Sequence, residues 1–277
     1  MSILQVAKRS FSLLLKQPKI FIPNLISAML YAAYELILLF LLSDLFLKVL
    51  FQSAIDIQSL IAIAGVFFFY PFVGIVDLVT YGMYPTMIRD FLKDKRISLL
   101  SAFKASISSW KILLLLGIIF LAYLIFISIA ILLINLTAIL LNNLYLQLLA
   151  LAISILVLTA SILILMLCVF FLVPIGILER KSVLATIRKS WKLSQTYMRE
   201  VFLINVLILL LVTFAIALNF LTPSIDMSVR NLTFLAILLF FLVKIFQAVV
   251  YTYIFTINPY FYLHHEKNRY LQQGGNF

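Results

Sequence analysis

Residues 112–178 read ILLLLGIIFLAYLIFISIAILLINLTAILLNNLYLQLLALAISILVLTASILILMLCVFFLVPIGIL, 67 consecutive positions without one Asp, Glu, Lys, Arg or His. A water-soluble fold must present charged side chains along every element it exposes, so this stretch belongs in lipid. As a single helix it would extend about 100 Å, whereas a bilayer core about 30 Å thick is crossed by about 20 helical residues. It therefore holds two spans and a turn. Asn142-Asn143 is the natural turn, and a turn at Asn135-Leu136-Thr137 would move the boundary without changing the count.

Outward from this stretch, four further apolar runs reach spanning length. The six are residues 20–43, 59–88, 112–141, 144–178, 201–221 and 232–259. The whole chain of 277 residues is 65% hydrophobic and 11% charged, with a mean hydropathy of +1.19. A soluble domain carries about a quarter charged residues, so soluble enzymes and disordered tails are excluded. Cys168, the single cysteine, lies inside an apolar run, which excludes a disulfide scaffold and a cysteine metal cluster. The first run is too long for the h-region of a signal peptide, about 7 to 15 residues, and reads as an uncleaved first span.

Eighteen of the 21 basic residues fall in the N-terminus, residues 89–111, residues 180–199 and the tail after Pro259. Lys48 and Arg230 lie in the opposite loops and Lys244 inside a span. By the positive-inside rule both termini are expected to face the cytoplasm of a cell membrane, and an even number of crossings agrees in placing them on one side. The net charge of +11 is then a topology signal; nucleic-acid binding is not expected, because no basic soluble domain is present.

Three segments align without gaps: residues 3–11 (ILQVAKRSF), 99–107 (LLSAFKASI) and 183–191 (VLATIRKSW). Each has an aliphatic residue, Leu, two free positions, an apolar residue, a cation, a free position, Ser and a large apolar residue, and each precedes an odd-numbered span. The chain thus reads as a single all-α membrane domain of three repeated units, residues 1–92, 93–180 and 181–277, each an amphipathic cytoplasmic helix followed by a transmembrane hairpin. Leu4, Ala7, Phe11 and Leu14 oppose Lys8, Arg9, Ser12 and Lys16 on the first helix. Leu100, Phe103, Ile107 and Trp110 oppose Ser101, Lys104, Ser108 and Lys111 on the second, and Leu184, Ile187 and Trp191 oppose Arg188, Lys189 and Lys192 on the third. Lys8, Arg9, Lys104, Trp110, Arg188, Lys189 and Trp191 are therefore expected at the lipid interface, with anionic headgroups as partners. General anchoring of the hairpins explains these helices more economically than dedicated lipid recognition.

Residues 179–193, ERKSVLATIRKSWKL, resemble the motif of the glycerophosphoryl diester phosphodiesterase membrane-domain family and its bacterial and archaeal relatives. In that motif a Glu at the end of a span is followed by an amphipathic stretch ending in a Ser-Trp-like pair. Thr186 stands where the motif usually has Ala, which Ala102 retains in the second copy. The resemblance implies a six-helix membrane fold. It does not imply phosphodiesterase activity, which in that family resides in a separate soluble domain.

GxGxxG, P-loop, HExxH and CxxC motifs are all missing, and no catalytic residue or cofactor is expected. His264-His265-Glu266 reads as a solvated polar tail rather than a metal site. The residues that carry most information are Glu35, Asp77 and Lys244, because an ionisable group inside a span costs about 2.5 to 3.5 kcal/mol and normally faces a partner or a cavity. Lys244 can reach either acid. Pro71, Gly74, Gly82 and Pro85 surround Asp77 and suggest a broken second span lining a cavity. The expected function is that of a non-catalytic membrane scaffold or lipid-associated factor. The alternative is a transporter or translocation-channel subunit working through its intramembrane charges. A polar cavity open to one side distinguishes transport from a dry, closed scaffold.

Overall fold

In a computed structural model the chain is described at residues 3–50, 57–93, 96–140, 143–179, 182–221 and 234–272. Among them no strand occurs. The helices are α1 (Ile3–Lys16), α2 (Ile22–Leu50), α3 (Ile57–Leu92), α4 (Leu99–Ser108), α5 (Trp110–Leu140), α6 (Leu144–Val169), α7 (Leu172–Glu179), α8 (Val183–Thr196), α9 (Met198–Ala217) and α10 (Phe234–Gln272), with short 3₁₀ turns at Pro18–Phe21 and Leu218–Leu221. Six stretches among the described residues are long and apolar enough to cross a membrane: Pro18–Leu42, Leu60–Leu92, Trp110–Thr137, Leu144–Glu179, Met198–Ala217 and Ile237–His265. This is a multi-pass helical membrane protein. Its exposed surface is correspondingly apolar, from Phe68 and Phe126 to Leu140 and Leu156, as lipid contact demands.

Two units cluster separately, Met1–Ser106 with Ile208–Phe277, and Ile107–Leu207. In the first, α2 and α3 form a hairpin against which α10 packs, and α1 lies on α10. The Tyr253 hydroxyl donates to the Ala7 carbonyl at 3.1 Å, and Phe11 meets the Tyr253 ring edge-on at 6.1 Å. That docking selects the buried face of α1. Val6, Ser10, Leu13 and Leu14 are buried and Phe11 is exposed, a face rotated from the Leu4-Ala7-Phe11-Leu14 stripe of the sequence pattern. In the second unit α5 and α6 form a hairpin, α7 packs on α5, and α8 lies along α6 and α7.

The expected helix break in the second span does not occur. An α-helix runs without interruption from Ile57 to Leu92 through both Pro71 and Pro85. Each proline removes one backbone donor, but in lipid a broken helix would leave several backbone groups without any partner, so continuing the helix costs less. Gly74 has open space where a side chain would lie, whereas Gly82 and Pro85 are buried.

The interruption lies in the fourth span, at Phe170-Phe171 between α6 and α7. Pro174 occupies the first turn of α7, where backbone N–H groups have no helical acceptor, while its ring opposes continuation through the Phe170 carbonyl. The turn before α6 is where the sequence puts it. Asn143 accepts from the backbone N–H groups of Tyr145 at 2.9 Å and Leu146 at 3.4 Å, and so caps the new helix. Asn135 is committed to the same hairpin, donating to the Ile131 carbonyl at 2.8 Å and to the Ser154 hydroxyl at 3.0 Å. Asn142 and the Cys168 side chain lie outside the described residues.

Gly176 sets how closely α7 approaches α5. A Cβ there would lie 2.6 Å from Cγ2 of Ile112 and 2.9 Å from its Cγ1. Gly176→Val should therefore lower stability by about 1–3 kcal/mol through overpacking. Combining it with Ile112→Ala should recover part of that loss. Thermal unfolding of the detergent-purified variants checks this, and equal loss in the single and double variants would contradict it.

Candidate functional site

Two helix faces in the first unit share one spacing. On α2, Asn24, Ser27, Ala28, Tyr31 and Glu35 fall at i, i+3, i+4, i+7 and i+11; on α10, Lys244, Gln247, Ala248, Tyr251 and Phe255 do the same. At 3.6 residues per turn each set forms one stripe. The helices run antiparallel, because Asn24 near the start of α2 donates to the Ala248 carbonyl at 2.9 Å and to the Thr252 hydroxyl at 3.3 Å, while Glu35 further along meets Lys244. Asp77 from α3 and Asn219 from the 3₁₀ turn after α9 complete the walls. Together they enclose a cavity of about 360 Å³.

Lys244 and Glu35 form an ion pair with Nζ 2.5 Å from Oε2. The lysine side chain is 9% exposed and the glutamate 39%, so the pair sits at the edge of the cavity with its cation inward. The ammonium also donates to Oδ1 of Asn219 at 3.5 Å and lies 5.2 Å from the centre of the Phe240 ring. The same Asn219 oxygen accepts from Nε2 of Gln247 at 2.9 Å, and that nitrogen donates to the Ala215 carbonyl at 2.7 Å. Lysine, carboxamides and the end of α9 thereby form one polar network.

Asp77 lines the same cavity but pairs differently. Its Oδ1 accepts from the Ser27 hydroxyl at 2.8 Å, and among the described residues no cation lies within ion-pair distance of it. The three ionisable residues singled out in the spans thus share one cavity, with two of them paired directly. The remainder of the site escaped sequence reading: Asn24, Ser27, Tyr31, Asn219, Gln247 and Tyr251 are individually ordinary. The repeated i, i+3, i+7 polar spacing on α2 and α10 was the signal that could have found all of them but Asn219.

The residues expected at the interface occupy three separate helices. Lys8, Arg9, Lys104 and Arg188 are exposed, as are Trp110 and Trp191. Trp110 lies at the start of α5, 5.9 Å beneath the Lys111 ammonium. Lys189 is set apart, since it is ion-paired with Glu179 and joins the end of α7 to α8. In the tail, Nδ1 of His265 lies 2.9 Å from the Phe261 carbonyl, and among the described residues no three His, Cys, Asp or Glu side chains converge.

No protein-family model, curated protein or solved structure matches this chain.

Lys244→Ala removes the cation and leaves Glu35 without its partner at the edge of the cavity. The expected loss is about 1–2 kcal/mol, below that of a fully buried pair because Glu35 retains exposure. The neutral double variant Lys244→Met with Glu35→Gln keeps the volume and should be the more stable of the two. Unfolding midpoints in one detergent decide this; a double variant less stable than Lys244→Ala would argue against the pair as described.

Proposed function

We propose that this chain is a solute transporter or translocation subunit whose first unit receives a polar solute in the cavity lined by α2, α3 and α10. The observation that carries this reading is a membrane-embedded cavity of about 360 Å³ walled by carboxamides, phenols and three ionisable groups. That volume falls within the range of small-molecule sites. A scaffold needs its buried charges neutralised and its interior packed; a lipid-embedded cavity with a carboxylate facing into it serves neither purpose. The scaffold reading retains one specific support, the direct Lys244–Glu35 pair, which by itself could serve only to hold α10 against α2.

In this reading both termini are cytoplasmic, and the chain arose as three repeated units. Burial favours the triplication. The corresponding positions Val6, Ala102 and Thr186 are all buried, as are Ser10, Ser106 and Ser190 four residues on. The even-numbered spans share a second feature, a buried proline near the expected cytoplasmic end: Pro85, Pro174 and Pro259, each within an almost continuously buried stretch. Within residues 179–193 Lys189 pairs with Glu179, so in this reading the glutamate has a structural role in joining α7 to α8.

The short helices α1, α4 and α8 lie at the cytoplasmic interface and contact anionic lipid. Their small buried residues face protein, as where the Ser106 hydroxyl donates to the Val79 carbonyl at 2.7 Å, and this leaves apolar and basic residues facing outward. Leu100, Phe103, Ile107 and Trp110 are exposed beside Lys104, and Leu184, Ile187 and Trp191 beside Arg188. Apolar side chains and cations exposed together match the boundary between acyl chains and phosphate headgroups. Reversing the charge of Lys104 and Arg188 together should reduce the acidic lipid that co-purifies in detergent. Unchanged lipid, measured by mass spectrometry, would remove this part of the proposal.

The cavity is tested by cysteine accessibility in a Cys168→Ser background, with single cysteines at Ser2 and Gln273 as markers of the terminal side. Ser27→Cys should react with a charged, membrane-impermeant thiol reagent from one face of sealed vesicles, and the terminal cysteines from the cytoplasmic face alone. An inert Ser27→Cys from both faces would favour the scaffold, and terminal labelling from outside would invert the topology.

A further inference from the structure

Among the described residues that line the cavity, one acid, Asp77, has no cationic partner. Lys244 and Glu35 neutralise each other at 2.5 Å, and Asp77 is left with a hydroxyl donor from Ser27 at 2.8 Å and, among the described residues, no cation in ion-pair reach. An acid in lipid-embedded protein carries its charge only beside a counter-charge, and the lining supplies none from within. We propose that the occupant of this cavity is a small organic monocation, an ammonium carried on an apolar or aromatic body, with Asp77 as its counter-ion. This rests on the reading of the cavity as a solute site and adds the class of solute.

Size and wall chemistry decide against a bare inorganic cation. A water molecule occupies about 30 Å³ of liquid, so an ion of similar size would leave most of the roughly 360 Å³ to solvent. Calcium-like and magnesium-like ions also demand six or more oxygen ligands in close array. Here the cavity wall includes the rings of Tyr31, Tyr251 and Phe255. Aromatic faces attract ammonium groups through their quadrupoles and accept apolar bodies by contact. An anionic solute would need Lys244, whose ammonium is already occupied by Glu35 and Asn219. The lysine thus has a further consequence for selectivity: by holding Glu35 it limits the uncompensated charge to one, which suits a monocation better than a dication.

The experiment uses the full chain in nanodiscs of uncharged phosphatidylcholine, so that acidic lipid does not bind the probes. Phenethylammonium chloride is titrated by calorimetry beside phenethyl alcohol and sodium phenylacetate, which share the aromatic body with neutral and negative heads. The expected result is saturable binding of the ammonium, with affinity for the alcohol and the phenylacetate at least about tenfold weaker, a difference of about 1.4 kcal/mol. Asp77→Asn, which keeps an acceptor for Ser27, should abolish that preference. Should Asp77→Asn fail to fold, Tyr251→Leu provides the second variant and should lower ammonium affinity several-fold more than alcohol affinity.

Phenylacetate binding more tightly than the ammonium would overturn the cation class while leaving a solute cavity in place. Ammonium binding undiminished in Asp77→Asn would overturn the assignment of Asp77. Failure of all three probes with a reactive Ser27→Cys would overturn the proposed class alone. The same failure with Ser27→Cys inert from both faces would overturn the solute reading beneath it.

Discussion

An ammonium group on an otherwise apolar helix must be met by an acid, and the contact between Lys244 and Glu35 ties α10 to α2 across more than two hundred residues of chain. Dispersion alone discriminates weakly between lipid and another apolar helix, so polar contacts carry much of the specificity of helix pairing in a membrane. The pair acts with Asn24, which donates to the Ala248 carbonyl and so joins α2 to α10 a second time, while Gln247 donates to the Ala215 carbonyl and joins α10 to α9. The ion pair and the Asn24 bond align the polar stripe of α2 with that of α10. The cavity follows from that register, because the side chains between the two bonded ends are polar or aromatic and do not fill the space as aliphatic residues would.

The same scarcity of alternative partners governs the backbone. In water a helix with two internal prolines would readily break, since solvent satisfies the freed carbonyls. Here α3 continues through Pro71 and Pro85, and α6 gives way to α7 just ahead of Pro174. Pro174 follows two turn residues, Phe170 and Phe171, whose side chains are buried and whose rings meet edge-on at 4.9 Å. That local packing compensates for the interruption, and the first turn of α7 accommodates a proline at no cost in backbone bonds.

The amphipathic segments combine two kinds of contact. Their small residues, Ala102 and Ser106 on α4 and Thr186 and Ser190 on α8, are buried, while large apolar side chains and cations remain outside. A hydrophobic stripe on such a helix is normally taken to face protein. In a membrane protein the order reverses: small residues permit close approach of backbones, and bulky ones can be left to lipid. On α1 the division is less strict, because Val6, Leu13 and Leu14 are buried with Ser10 while Phe11 remains exposed.

The sequence by itself determined the number of spans, the turn at Asn143 and the three residues most costly to bury, because each follows from transfer energies that depend on local composition alone. Residues 112–178 could be nothing but two spans, and Glu35, Asp77 and Lys244 stood out against uncharged surroundings. Only the tertiary structure decided that Glu35 and not Asp77 takes the lysine, and that Asn24, Ser27, Tyr31 and Gln247 join them around a cavity. It also decided that the break falls before Pro174 and not at Pro71 or Pro85. These outcomes depend on which helix faces meet and in what register. Periodicity along one helix marks a face without naming its partner, and pairing of distant faces is settled by the satisfaction of buried polar groups across the whole bundle.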